Sequence, residues 1–67
     1  MLKCEDKIQL TGKEREFLEL CTEVACDPQT EEDLLAWIDY AKRKLTMSEP
    51  EEHLMAAMLD MLGRNEF

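Results

Sequence analysis

From Gly12 onward, apolar side chains recur at three- and four-residue spacings, and the pattern breaks at Asp27-Pro28 and again around Thr46–Ser48. This periodicity predicts three helices, over about residues 12–26, 31–47 and 50–62. In the first, Phe17, Leu18, Leu20, Cys21, Val24 and Ala25 gather within roughly 160° around the axis, and Glu16, Glu19 and Glu23 form a stripe on the other side. In the second, Leu34, Trp37, Ile38, Ala41 and Leu45 make a narrow seam at i, i+3, i+4, i+7 and i+11, flanked by Leu35 and Tyr40. The third differs. Leu54, Met55, Ala57, Met58, Leu59, Met61 and Leu62 span roughly 200° of the circumference, which leaves Glu52, His53, Ala56 and Asp60 as a thin outer edge.

Each helix opens on a hydroxyl residue followed by acids: Thr11-Gly-Lys-Glu14, Thr30-Glu-Glu-Asp33 and Ser48-Glu-Pro-Glu51. The hydroxyl can accept from an orphan N–H of the first turn, and a Glu three residues on can reach back to the cap's own N–H. The first and third match the strict capping box; the second has the shorter Asp. Pro50 suits a first helical turn, where its missing N–H costs little, and Gly63 is placed to cap the third helix. Pro28 ends the first helix by disfavouring the helical region at Asp27. The break Asp27–Gln29 is short, so helix two is expected to fold back on helix one. Residues 1–10 show no settled period. Ile8 and Leu10 alternate around Gln9, which permits an extended arm with no strand partner within the chain.

The expected fold is therefore all-α, one domain over residues 1–67: an antiparallel helical hairpin and a third packed helix. Sixty-seven residues give a small core, and two neighbours do not cover the broad face of helix three. Dimerisation is the simplest way to complete it.

Composition sets limits on function. With 45% hydrophobic and 36% charged residues the chain folds rather than staying disordered. Its net charge of −8 disfavours direct contact with nucleic acid phosphates or an anionic membrane surface, and points to a partner with a basic surface. No apolar run is long enough for a signal peptide or a membrane span. Three cysteines, Cys4, Cys21 and Cys26, do not pair off, and a reducing cytoplasm is the expected setting.

Chemistry-bearing patterns are sparse. The sole histidine, His53, stands beside Glu52 on an outer edge with no oriented nucleophile. Cys21 and Cys26 lack the spacing and the second ligand pair of a zinc site. No loop carries the alternating oxygens of a calcium site, and Gly12 and Gly63 stand alone rather than in a phosphate loop. No enzyme activity, metal or cofactor is expected. Lys42, Arg43 and Lys44, the one basic cluster, complement the C-terminal end of helix two, as Glu31, Glu32 and Asp33 complement its start.

The stretch Leu10-Thr-Gly-Lys-Glu-Arg-Glu-Phe-Leu-Glu-Leu-Cys21 resembles the opening of the LuxR/GerE-type helix-turn-helix. That resemblance implies a nucleic-acid-related regulator. It spans the first helix only, because Asp27-Pro28 stands where a turn into a short second helix belongs and no basic recognition helix follows. No DNA-contacting residue carries over.

The leading expectation is a small cytoplasmic protein of microbial or phage type that regulates by binding another protein. Leu54, Met55, Met58, Leu59 and Met61 would make the apolar contact, and Glu16, Glu19 and Glu23 the charged surround. The alternative is a degenerate helix-turn-helix or an acidic DNA mimic that inhibits a DNA-binding protein.

Overall fold

The computed structural model describes residues 1–67 and contains two short strands followed by three helices: β1 (Leu2–Cys4), β2 (Lys7–Gln9), α1 (Gly12–Thr22), α2 (Glu31–Lys44) and α3 (Pro50–Gly63). The fold is mostly helical rather than all-α. The N-terminal arm supplies its own strand partner: β1 and β2 pair antiparallel, with Leu2 opposite Gln9, Lys3 opposite Ile8 and Cys4 opposite Lys7. Glu5 takes the left-handed conformation, φ 58°, that closes the tight turn. The other edge of β2 meets the chain before α2, where the Ile8 N–H donates to the Gln29 carbonyl at 3.0 Å. The Glu31 N–H donates to the Asp6 carbonyl at 2.9 Å.

The first two caps form as their local chemistry predicts. Around α1, the Glu14 N–H donates to Thr11 Oγ1 at 3.2 Å and the Thr11 N–H to Glu14 Oε1 at 2.9 Å, a complete capping box. At α2 the Asp33 N–H donates to Thr30 Oγ1 at 3.1 Å, and Asp33 does not return the bond. The third cap departs from expectation. Glu49 is the N-cap and makes no side-chain cap bond. The Ser48 hydroxyl turns to Thr46 instead, at 2.8 Å. Glu52 reaches back out of the helix to accept from the Thr46 hydroxyl at 2.8 Å and the Met47 N–H at 2.6 Å. These bonds, the Thr46 hydroxyl foremost, lower the Glu52 pKa.

Helix α1 stops four residues early, at Thr22. Thr22 is fully buried. Its Oγ1 lies 2.9 Å from the Leu18 carbonyl oxygen and 3.0 Å from that of Val24, and accepts from the Val24 N–H at 3.3 Å. Glu23 then takes a left-handed conformation, φ 61°, and caps the helix through its N–H to the Glu19 carbonyl at 2.7 Å. The hydroxyl offers the backbone a local alternative to further helix.

The early stop changes the topology. The α1–α2 connection runs over residues 23–30 instead of three residues. Extended, eight residues reach up to about 26 Å, more than the ~16 Å of an 11-residue helix. The segment therefore travels back along α1 to the hairpin before α2 begins. The N-terminal ends of both helices abut the hairpin region, through Met1 N to Glu14 at 3.1 Å and Lys3 to Glu31 at 3.1 Å. At the far end, Lys44 Nζ reaches the Thr22 carbonyl at 3.0 Å. Helices α1 and α2 thus run the same way, and the expected antiparallel pair is α2 with α3 instead. Lys42 near the end of α2 pairs with Asp60, and Leu35 near its start lies against Gly63.

Gly63 is the last residue of α3 and has no positive φ. A Cβ there would stand 3.2 Å from Ile38 Cδ1 and 3.6 Å from Leu35 Cδ2, so its smallness lets α3 approach α2. Asn65, at φ 58°, makes the left-handed cap, with Glu66 N–H to the Met61 carbonyl at 2.8 Å and Asn65 N–H to that of Leu62 at 3.1 Å. The core gathers Ile8, Leu10, Leu18, Cys21, Cys26, Leu34, Ile38, Ala41, Leu59 and Leu62 from every helix, from β2 and from the segments leading into α1 and α2.

Candidate functional site

On α3 the buried direction is rotated about 100°, one residue, from the centre of the apolar arc. Ala56, read as outer edge, is buried with Leu59 and Leu62. Opposite them, Leu54 is 61% exposed, Met61 is 37% exposed and Ala57 is exposed. Met55 and Met58 lie half-buried between the two poles, Met55 packing on the core. Of the five apolar residues expected to meet a partner, Leu59 is therefore enclosed in the chain's own core, Met55 and Met58 are half-buried, and Leu54 and Met61 remain at the surface. The helix is apolar on both sides because its inner pole builds the core and its outer pole meets solvent.

The acidic stripe is less regular than its spacing predicts. Glu16 is exposed, Glu19 is half-buried, and Glu23 lies beyond the end of α1 with its carboxylate 3.5 Å from Lys44 Nζ. Leu20, expected in the core, stands 69% exposed among them, and Val24 and Ala25 are also at the surface. Charge pairing decides what the rest of the surface offers. Lys3, Arg15, Lys42, Arg43, Lys44 and Arg64 each meet a carboxylate of this chain, leaving only Lys7 and Lys13 free. Glu5, Asp6, Glu16, Glu19, Glu32, Asp33, Glu49, Glu51 and Glu52 have no ion-pair partner.

Glu14 is the exception among the acids, buried against the α-amino group of Met1. Burial works to raise its pKa, but the Thr11 N–H, the ammonium and the Thr11 hydroxyl outweigh it and hold the carboxyl below its ordinary value. The α1 wheel reads Glu14 only as a cap and misses this enclosure, because the amino terminus reaches it through the hairpin.

A second surface has no counterpart in the expectations drawn from periodicity. Val24, Asp33, Ala36, Trp37 and Tyr40 line an open groove of roughly 410 Å³ between the 23–30 segment and α2. Trp37 and Tyr40 meet edge to face, their ring centroids 5.8 Å apart. Lys44 Nζ lies 5.5 Å from the Tyr40 ring centroid. The signal was present as Asp33, Ala36, Trp37 and Tyr40 at i, i+3, i+4 and i+7. It reads as a seam for helix packing unless the non-helical course of residues 23–30 is known.

Cys21 and Cys26 are free and buried, and burial, first in each case, raises both pKa values. Cys4 is free and exposed on β1. His53 is exposed. No group of three or more His, Cys, Asp or Glu side chains converges as metal ligands do. No helix is long and apolar enough to cross a membrane.

Comparison with known proteins gives no match among family models, curated proteins or solved structures.

Proposed function

We propose that this chain is a small, acidic protein-binding module of regulatory type, whose principal apolar contact is the outer pole of α3. The observation that carries this reading is the exposed row Leu54, Ala57 and Met61, with Met58 half-buried beside it, turned away from a core that Leu59 and Leu62 already complete. The helix holds the row on a backbone that is already ordered before docking, and methionines adapt to the shape they meet. The occupant is a second copy of the chain, whose identical row gives a self-complementary contact. Each copy carries −8, so the unpaired acids oppose the encounter and the apolar row has to supply the affinity. Free thiols at all three cysteines support a cytoplasmic setting.

Sedimentation at about 100 µM tests the reading. The wild-type chain, 7.9 kDa, should sediment as a dimer. Leu54→Asp with Met61→Asp should sediment as a monomer of unchanged helicity, since both residues are exposed. A monomeric wild type removes α3 as the principal contact. So does a double variant that still dimerises.

A further inference from the structure

We infer that the groove between residues 23–30 and α2 receives an arginine side chain from a basic segment of a partner protein. Its lining is aromatic: Trp37 and Tyr40 meet there edge to face. The wall is Val24 and Ala36, and Asp33 stands one helical turn before Trp37. Asp33 meets no cation of this chain. A guanidinium fits this set better than an ammonium, because its plane stacks on an aromatic face while its N–H fork reaches a carboxylate.

Charge complementarity selects the occupant. The chain carries −8, and six of its eight basic side chains are held in internal ion pairs. The unsatisfied charge that a partner meets is therefore negative. The aromatic lining already accepts a cation at one end, where Lys44 lies over Tyr40. Lys44 does not close the groove against a second cation, because the Thr22 carbonyl and the Glu23 carboxylate hold it at the C-terminal end of α2. Trp37 and Asp33, about two and three turns back from Lys44 along α2, are left for the incoming side chain. This surface is distinct from the outer pole of α3, so its test stands whether or not α3 mediates dimerisation.

Trp37 is the only tryptophan in the chain and reports the groove directly. Titration with hexa-arginine at low salt should change its emission saturably, hexa-lysine should bind more weakly, and hexa-glutamate should do nothing. Asp33→Asn and Tyr40→Leu should each weaken hexa-arginine by about two- to five-fold, with circular dichroism confirming the fold. Tyr40→Phe keeps the ring and should keep the affinity. Glu49→Gln with Glu51→Gln removes twice the charge of Asp33→Asn at the start of α3 and should weaken binding less. The inference is overturned by an unchanged Trp37 emission, by equal binding of hexa-lysine, or by indifference to Asp33→Asn and Tyr40→Leu. A larger loss in the Glu49/Glu51 variant also overturns it, since binding would then follow net charge alone.

Discussion

Replacing Thr22 by Val tests what ends α1 and so what sets the topology. The two side chains are nearly the same shape, so the substitution removes a hydroxyl and adds a methyl at a fully buried position. The hydroxyl proton is shared between the Leu18 and Val24 carbonyls, and the oxygen accepts from the Val24 N–H. Loss of the donated bond costs about 1 kcal/mol net, and the Val24 N–H left without its partner costs about 1–3 kcal/mol. The added methyl returns about 0.8 kcal/mol. The balance is a destabilisation of about 2 kcal/mol, and for a domain this small a drop in Tm of about 8–16 °C. Thr22→Ser keeps the hydroxyl and loses only a buried methyl, so it should cost about 1 kcal/mol. Thermal unfolding followed by far-ultraviolet circular dichroism measures both. Thr22→Val at wild-type stability, or more stable than Thr22→Ser, would refute the hydroxyl as the brake on α1.

Two further substitutions address the ends of the fold. Glu14 has a depressed pKa in the folded state; its contribution is therefore present above the unfolded glutamate value and lost as pH falls through the folded one. Glu14→Gln should be less stable than wild type at pH 7, and the difference measured by urea unfolding should shrink below about pH 4.3; a difference that grows on acidification contradicts the ion pair. At Gly63, alanine gains up to about 1 kcal/mol of helix propensity against a 3.2 Å approach to the movable end of Ile38, so Gly63→Ala should be close to neutral. Gly63→Val adds branches towards Ile38 and Leu35 and should cost about 1–3 kcal/mol in urea unfolding; a stabilising Val would show that α3 does not need the close approach.

What the sequence made legible was what neighbours in sequence decide. Thr11, Glu14 and Thr30 cap as read, because each cap bond spans three residues. The breaks at Pro28 and near Ser48 fall between helices as expected. The hairpin was hidden because Glu5-Asp6 closes it without the glycine or asparagine that marks a two-residue turn. Its outer strand, Leu2–Cys4, is exposed throughout and leaves no alternation to read. The end of α1 was hidden for a similar reason, since Glu23 takes the left-handed conformation with no glycine there. On α3 the periodicity located a helix but not its inward face. A helix apolar nearly all round has its orientation fixed by what it packs on, here Ile38 and Leu35 against Gly63.

The same early stop that reverses the course of α1 and α2 also makes the groove. Had α1 continued to Cys26, Val24 would lie on the helix and face away from Trp37 and Tyr40 or compete for the core. Because Thr22 and Glu23 end the helix, the chain bends at Val24 and runs without helical structure over residues 25–29 before α2 begins. Cys26 enters the core, and Val24 is left to wall the groove. Lys44 joins the two ends of this arrangement, donating to the Thr22 carbonyl while lying over Tyr40. A change at Thr22 should therefore reach the Trp37 environment without touching it, and Thr22→Val should weaken hexa-arginine binding as well as stability. The surface and the topology have one local cause, a buried hydroxyl that satisfies the backbone where another turn of helix would otherwise form.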